Sequence, residues 1–113
     1  MLAMATSASS PVVRGAWIRP GTHVTLLGSF KPSMREIDSV AFGLVDEIWV
    51  DDRAALLESG DLIEARADGC LKAVAGDLRD LVRKEERPPS TAVTIFKSVG
   101  FATADLILSL IHI

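Results

Sequence analysis

The chain has 113 residues, 49% of them hydrophobic, with a formal charge of −3 and a pI near 5.3. That length suits one small domain with a buried core, and the excess of 15 acids over 12 Lys and Arg argues against a binder of phosphate backbones, so no nucleic-acid partner is expected. The single cysteine, Cys70, cannot close an internal disulfide and fits a reducing, cytoplasmic setting; no apolar run reaches the ~20 residues of a membrane helix, so no membrane partner is expected either.

Leu2 to Thr6 reads as a short apolar strand entering a polar, turn-forming cluster, Ser7 to Pro11. The start, MLAMATSASSPVV, lacks the basic region of a signal peptide and reads as a strand end running into a loop. Arg19-Pro20-Gly21 is a turn, and His23 to Leu27 is a strand rich in β-branched residues, of the kind found in parallel sheets covered on both faces. His23 at its start is expected to be a satisfied structural histidine. The strand breaks at Gly28-Ser29, where a residue without Cβ lets amide groups approach a flat ring. A strand that stops at such a corner presents backbone to a ligand at the carboxyl edge of an open α/β sheet.

Asp38 to Leu44 reads as a helix capped by Asp38, and Ile48 to Val50 as the next strand. Asp51 and Asp52 are adjacent, so in a strand they point to opposite faces and make a poor metal site; no metal is expected. Asp52 is expected instead to cap a helix from Arg53 to Glu58, stopped by Gly60 in the left-handed C′ position. Leu71, Val74, Ala75, Leu78, Leu81 and Val82 recur at helical spacing and predict an amphipathic helix from Leu71 to Lys84. Lys84 to Ser90 is a charged loop broken by Pro88-Pro89, and Val93 to Phe96 is the last strand. A further helix is expected from Val99 onward.

Three stretches carry a resemblance. They are GTHVTLLGSFKPSMREID at Gly21–Asp38, VDDRAALLESGDL at Val50–Leu62 and TIFKSVG at Thr94–Gly100. Together they are similar to the ornithine cyclodeaminase/mu-crystallin family of NAD(P)-dependent enzymes. The resemblance implies an α/β fold, the second half of a Rossmann-like NAD(P)-binding domain, incomplete here, spanning residues 1–106. It implies NAD or NADP as cofactor, with Thr6, Ser7, Leu27, Ser29 and Ser98 along it and Ser98 near its nicotinamide end. It also implies Glu58 near the small-molecule substrate. In the cyclodeaminase branch the residue two after the glycine is an acid/base aspartate; here it is Phe30, which cannot transfer a proton. Ketimine reduction is therefore expected over ornithine cyclodeamination, on an amino-acid or imine substrate, and no catalytic residue is assigned. The family dimerises through a separate domain, so a homodimer is expected only of a longer parent.

No G-x-G-x-x-G turn for a pyrophosphate occurs in the sequence. Leu108 to Ile113 reads LSLIHI, the translation of a sequencing-library adapter, so residues 107–113 are expected to be a non-native tail. The expectation is thus a fragment of an imine-reducing oxidoreductase. The alternatives are a non-catalytic, mu-crystallin-like small-molecule binder or an inert truncated product.

Overall fold

The apolar alternation of four short strands closes into one parallel sheet with the order β1-β2-β4-β3. The computed structural model describes residues 1–29, 31–71, 73–84 and 89–99. The strands are β1 (Leu2–Met4), β2 (His23–Leu26), β3 (Glu47–Val50) and β4 (Thr94–Lys97). Their registers pair Met4 with Leu26, Leu26 with Lys97, and Val50 with Lys97. All four carboxyl ends therefore stop at nearly one level. The chain is α/β, as its sequence implies.

β2 and β4 bury alternate residues, whereas β3 is buried continuously from Ile48 to Val50. Val24, Leu26, Ile48, Val50 and Ile95 share one core with Ile37, Ala41, Phe42, Ala55, Leu62 and Ala65. The last six lie on or beside α1 (Ser39–Leu44), α2 (Ala55–Glu58) and α3 (Gly60–Ala67). Trp49, one residue from Ile48 and so on the opposite face, is also buried. The segment leading to α4 (Leu78–Arg83) runs beside it, and the Lys84 ammonium sits 5.2 Å from its ring centroid. The other end of that face is less covered: His23 and Thr25 of β2 and Thr94 of β4 are half-buried. His23 has a hydroxyl at each ring nitrogen, Thr94 Oγ1 at 2.7 Å and Thr25 Oγ1 at 3.2 Å, which is the structural role expected of it.

Asp38 caps α1 as expected: its Oδ1 accepts from Ala41 N at 3.2 Å and also from Gly15 N at 2.9 Å, fastening the short 3-10 helix Gly15–Trp17 to α1. Three helical expectations are corrected. The helix expected over Arg53–Glu58 is only Ala55–Glu58, and its cap position is Ala54; Asp52 instead accepts from Ala54 N at 2.9 Å in a turn before it. Gly60 is not a left-handed terminator but the first residue of α3, a helix the sequence reading left out. The left-handed glycine that ends a helix is Gly69, at φ 73°, where Gly69 N donates to Arg66 O and Cys70 N to Ala65 O to close α3. Gly60 is needed for closeness instead. A Cβ there would lie 2.1 Å from Met34 O and 2.6 Å from Pro32 O.

The helix expected over Leu71–Lys84 shrinks to Leu78–Arg83. Upstream of it the backbone is extended along β3, with Ala75 N donating to Ile48 O at 2.8 Å and Val50 N to Gly76 O at 3.1 Å. The open edge of β3 outbids helical periodicity there, and Asp77 restarts the helix through a capping box with Asp80. Phe30, the centre of the loop Lys84–Ser90, the helix expected after Val99 and the tail at 107–113 lie outside the described residues.

Gly60→Ala tests the close approach. Alanine is normally favoured in a helix, yet here the change should cost at least about 1–3 kcal/mol because the Cβ meets backbone. Urea unfolding measures it; a neutral or stabilising result would show that the 32–34 turn does not press on α3.

Candidate functional site

The level carboxyl ends of β1, β2 and β4 make a shelf. Thr6 follows β1 by two residues, Leu27 follows β2 directly, and Ser98 follows β4 directly. Backbone bonds beyond the ladders tie two of these ends to the neighbouring strand: Leu27 N donates to Met4 O at 2.8 Å and Ser98 N to Leu26 O at 2.9 Å. Leu27 is half exposed at 48% despite its size, so an apolar surface faces out of the shelf. Ser98 Oγ donates to Asp51 Oδ2 at 2.8 Å, which fixes the hydroxyl and leaves its oxygen able to accept. Val99 N donates to the same carboxylate oxygen at 3.2 Å. Ser7 is exposed beside Thr6, and the Thr6 hydroxyl takes a long bond of 3.4 Å from Ala8 N.

Ser29 and Glu58 stand apart from that group. Ser29 is wholly buried, with its hydroxyl donating to Met34 O and accepting from Asp61 N. The amides of Gly28 and Ser29 also point inward, so the expectation that this corner offers them to a ligand is corrected: a buried carboxylate takes both. Glu58 is exposed at the last position of α2.

That buried carboxylate belongs to Glu36, the residue the sequence reading passed over. It is wholly buried. Its Oε1 accepts from Gly28 N at 2.7 Å and Ser29 N at 3.3 Å, and its Oε2 from Thr6 N at 2.6 Å. Lys97, also wholly buried, stands 4.0 Å from Oε1 and donates to Leu26 O at 3.3 Å. Asp61, in the first turn of α3, accepts from Glu36 N at 2.9 Å and Ile37 N at 3.2 Å through Oδ1, while its Oδ2 is buried without a hydrogen-bond partner. Two signals in the sequence pointed here. Lys97 lies two residues from Ile95 and so on the inward phase of β4, and the acids lie inside the matched stretches MREID and ESGDL.

Burial pushes the Asp61 carboxyl above its ordinary 3.8; the bonds from Glu36 N and Ile37 N and the Lys97 charge oppose the rise, and the Glu36 charge adds to it. Burial likewise pushes Lys97 below 10.5, against the pull of Asp61, Glu36 and Asp51.

These observations can be set against known proteins. The pattern of the Ornithine cyclodeaminase/mu-crystallin family matches residues 1–112. The chain belongs to this family. It is 41% identical to a Delta(1)-pyrroline-2-carboxylate reductase of Paracoccus denitrificans, over 96% of this chain and 36% of that protein. It is 38% identical to Protein SAR DEFICIENT 4 of Arabidopsis thaliana, over 99% of this chain and 36% of that one. Its fold superposes with a TM-score of 0.89 on the Thermococcus litoralis Delta(1)-pyrroline-2-carboxylate reductase in complex with NADH and L-proline, at 36% identity over 96% of this chain and 35% of that one. The chain thus spans about a third of the length of the family members it matches.

The Asp61 shift has a testable sign. A carboxyl with a raised folded-state pKa contributes stability that is complete below 3.8 and lost as pH rises through the raised value. The stability of the wild type relative to Asp61→Asn, whose amide oxygen can keep the Oδ1 bonds, should therefore decline as pH is raised above 3.8. Urea midpoints for both proteins over the acidic range measure it, and a difference that stays constant or grows with pH contradicts the assignment.

Proposed function

We propose that this chain forms the nicotinamide-side part of a cytoplasmic NAD(P)H-dependent reductase of amino-acid-derived cyclic imines. The observation that carries the reading is the shelf. In a chain of this family, Thr6, Leu27 and Ser98 follow three adjacent parallel strands and meet at one level. Such an edge is where open α/β sheets hold ligands.

The donor set fits the cofactor. The outward apolar face of Leu27 suits one side of a flat ring. The Ser98 oxygen, with its own proton committed to Asp51, suits an amide N–H donor such as a carboxamide. Thr6 and Ser7 would line the nucleotide beside them. When bound, the cofactor supplies the hydride. This chain's residues bind and orient, and the buried, amide-loaded carboxylate of Glu36 is unsuited to exchanging protons with a substrate. Phe30 at the position of the cyclodeaminase aspartate supports reduction over deamination.

The reading is tested in the protein that carries this chain together with a complete dinucleotide-binding domain. NADPH oxidation with Δ1-pyrroline-2-carboxylate should be measurable and ornithine deamination should not. Ser98→Ala should lower kcat/KM by up to about tenfold, the worth of one hydrogen bond. Ornithine turnover would overturn the reductase assignment. Tight ligand binding without NADPH oxidation would favour the non-catalytic binder.

A further inference from the structure

The shelf is held from beneath by groups that touch no ligand-facing surface. Thr6 N, Gly28 N and Ser29 N come from the ends of two different strands, and all three donate to the one carboxylate of Glu36. A buried carboxylate is tolerated only when its lone pairs are met, and each bond to it is stronger than a neutral one. The approach is also close. A Cβ on Gly28 would fall 2.5 Å from Glu36 Oε2 and 2.0 Å from Thr6 O, so a larger residue at position 28 would displace the carboxylate or the Thr6 backbone.

Lys97 extends the same hold to the third strand. It is the last residue of β4, its Nζ lies 4.0 Å from Glu36 Oε1, and it reaches across to Leu26 O on β2. Its neighbour in the chain is Ser98. Asp51, whose charge also acts on Lys97, orients the Ser98 hydroxyl. Glu36 is thus bonded to the ends of β1 and β2 and paired with the end of β4. These strand ends carry Thr6, Leu27 and Ser98.

We propose that Glu36 is a positioning residue for nucleotide binding, setting through its three backbone bonds and through Lys97 the relative placement of Thr6, Leu27 and Ser98. The proposal rests on the reductase reading given above, but it concerns the geometry of the shelf and has a readout of its own. Ligand sites lose affinity steeply when their groups move by fractions of an ångström. A carboxylate shared by two strand ends and paired with a third controls that placement directly.

Glu36→Gln is the informative change. It is nearly isosteric, yet it sets an amide N–H₂ against one of the three N–H donors and removes the charge facing Lys97. Val45→Ala, which trims the buried core at the end of α1, reports what general loosening does. In the full protein, NADPH affinity by fluorescence titration should fall about tenfold or more in Glu36→Gln and stay within about twofold of wild type in Val45→Ala. Hydrogen exchange at the Ser98 amide, which Glu36 does not touch, should speed up in Glu36→Gln beyond what Val45→Ala produces. Equal affinity losses in the two variants, or unchanged Ser98 exchange relative to the control, would overturn the proposal. If the wild type binds no nucleotide, the reductase reading fails, and the Ser98 exchange alone still decides whether Glu36 places the shelf.

Discussion

A single wholly buried carboxylate governs this chain. Glu36 cannot be buried without donors, and among the described residues it takes the backbone amides of Thr6, Gly28 and Ser29, with the Lys97 ammonium 4.0 Å away. The cost of taking the charge out of water is offset only if Thr6, Gly28 and Ser29 turn inward together. That requirement explains several features at once. β1 stops at Met4 because the Thr6 amide bonds Glu36 instead of a strand. The Gly-Ser corner bends into the core instead of out to a ligand. Gly28 has no side chain because a Cβ would occupy the space of Thr6 O and Glu36 Oε2.

The surrounding charges follow from that first one. Lys97 lies in the core because a cation there has a partner, and Asp61 adds a second carboxylate whose Oδ1 is satisfied by the amides of Glu36 and Ile37. The segment from Glu36 to Asp38 is consequently fastened by both side-chain and backbone bonds. Asp61 holds its amides, Asp38 caps α1 and Gly15, and Val13 is bridged to Ile37. Buried ionic groups of this kind are weak evidence for stability, since a well-packed apolar set can do as well. What they supply here is placement, and placement is what a shelf for a flat ligand needs.

Much of the fold was legible in the sequence. The four strands are where β-branched and apolar runs put them, because a short β-branched run that feeds the core leaves a plain signal. Asp38 was legible as a cap because an acid ahead of Ser39-Val40-Ala41 has few other uses. Gly60 misled because a glycine after a short helix resembles a terminator; the crowding by Met34 O and Pro32 O that demands it comes from residues far away in the chain. The helix expected from Leu71 was lost to the free edge of β3, and a periodic pattern contains no information about such a neighbour. At the site, the resemblance named Leu27 and Ser98, and the structure puts each directly after a strand. Ser29 was placed on the wrong side of the backbone, since nothing local shows that a glutamate seven residues later claims its amide. Glu36 and Lys97 were passed over because charged residues are by default assigned to the surface.

The claim that one buried pair ties the strand ends is tested most directly by a double-mutant cycle on Glu36 and Lys97. Unfolding free energies of Glu36→Gln, Lys97→Met and the double variant would be compared with wild type. Removing either partner alone strands the other charge and should cost about 3–5 kcal/mol. The double variant should cost less than the sum of the two, with a coupling of about 1–3 kcal/mol. Additive losses would mean that Glu36 and Lys97 act independently, and the account of a single tie beneath the shelf would then be wrong.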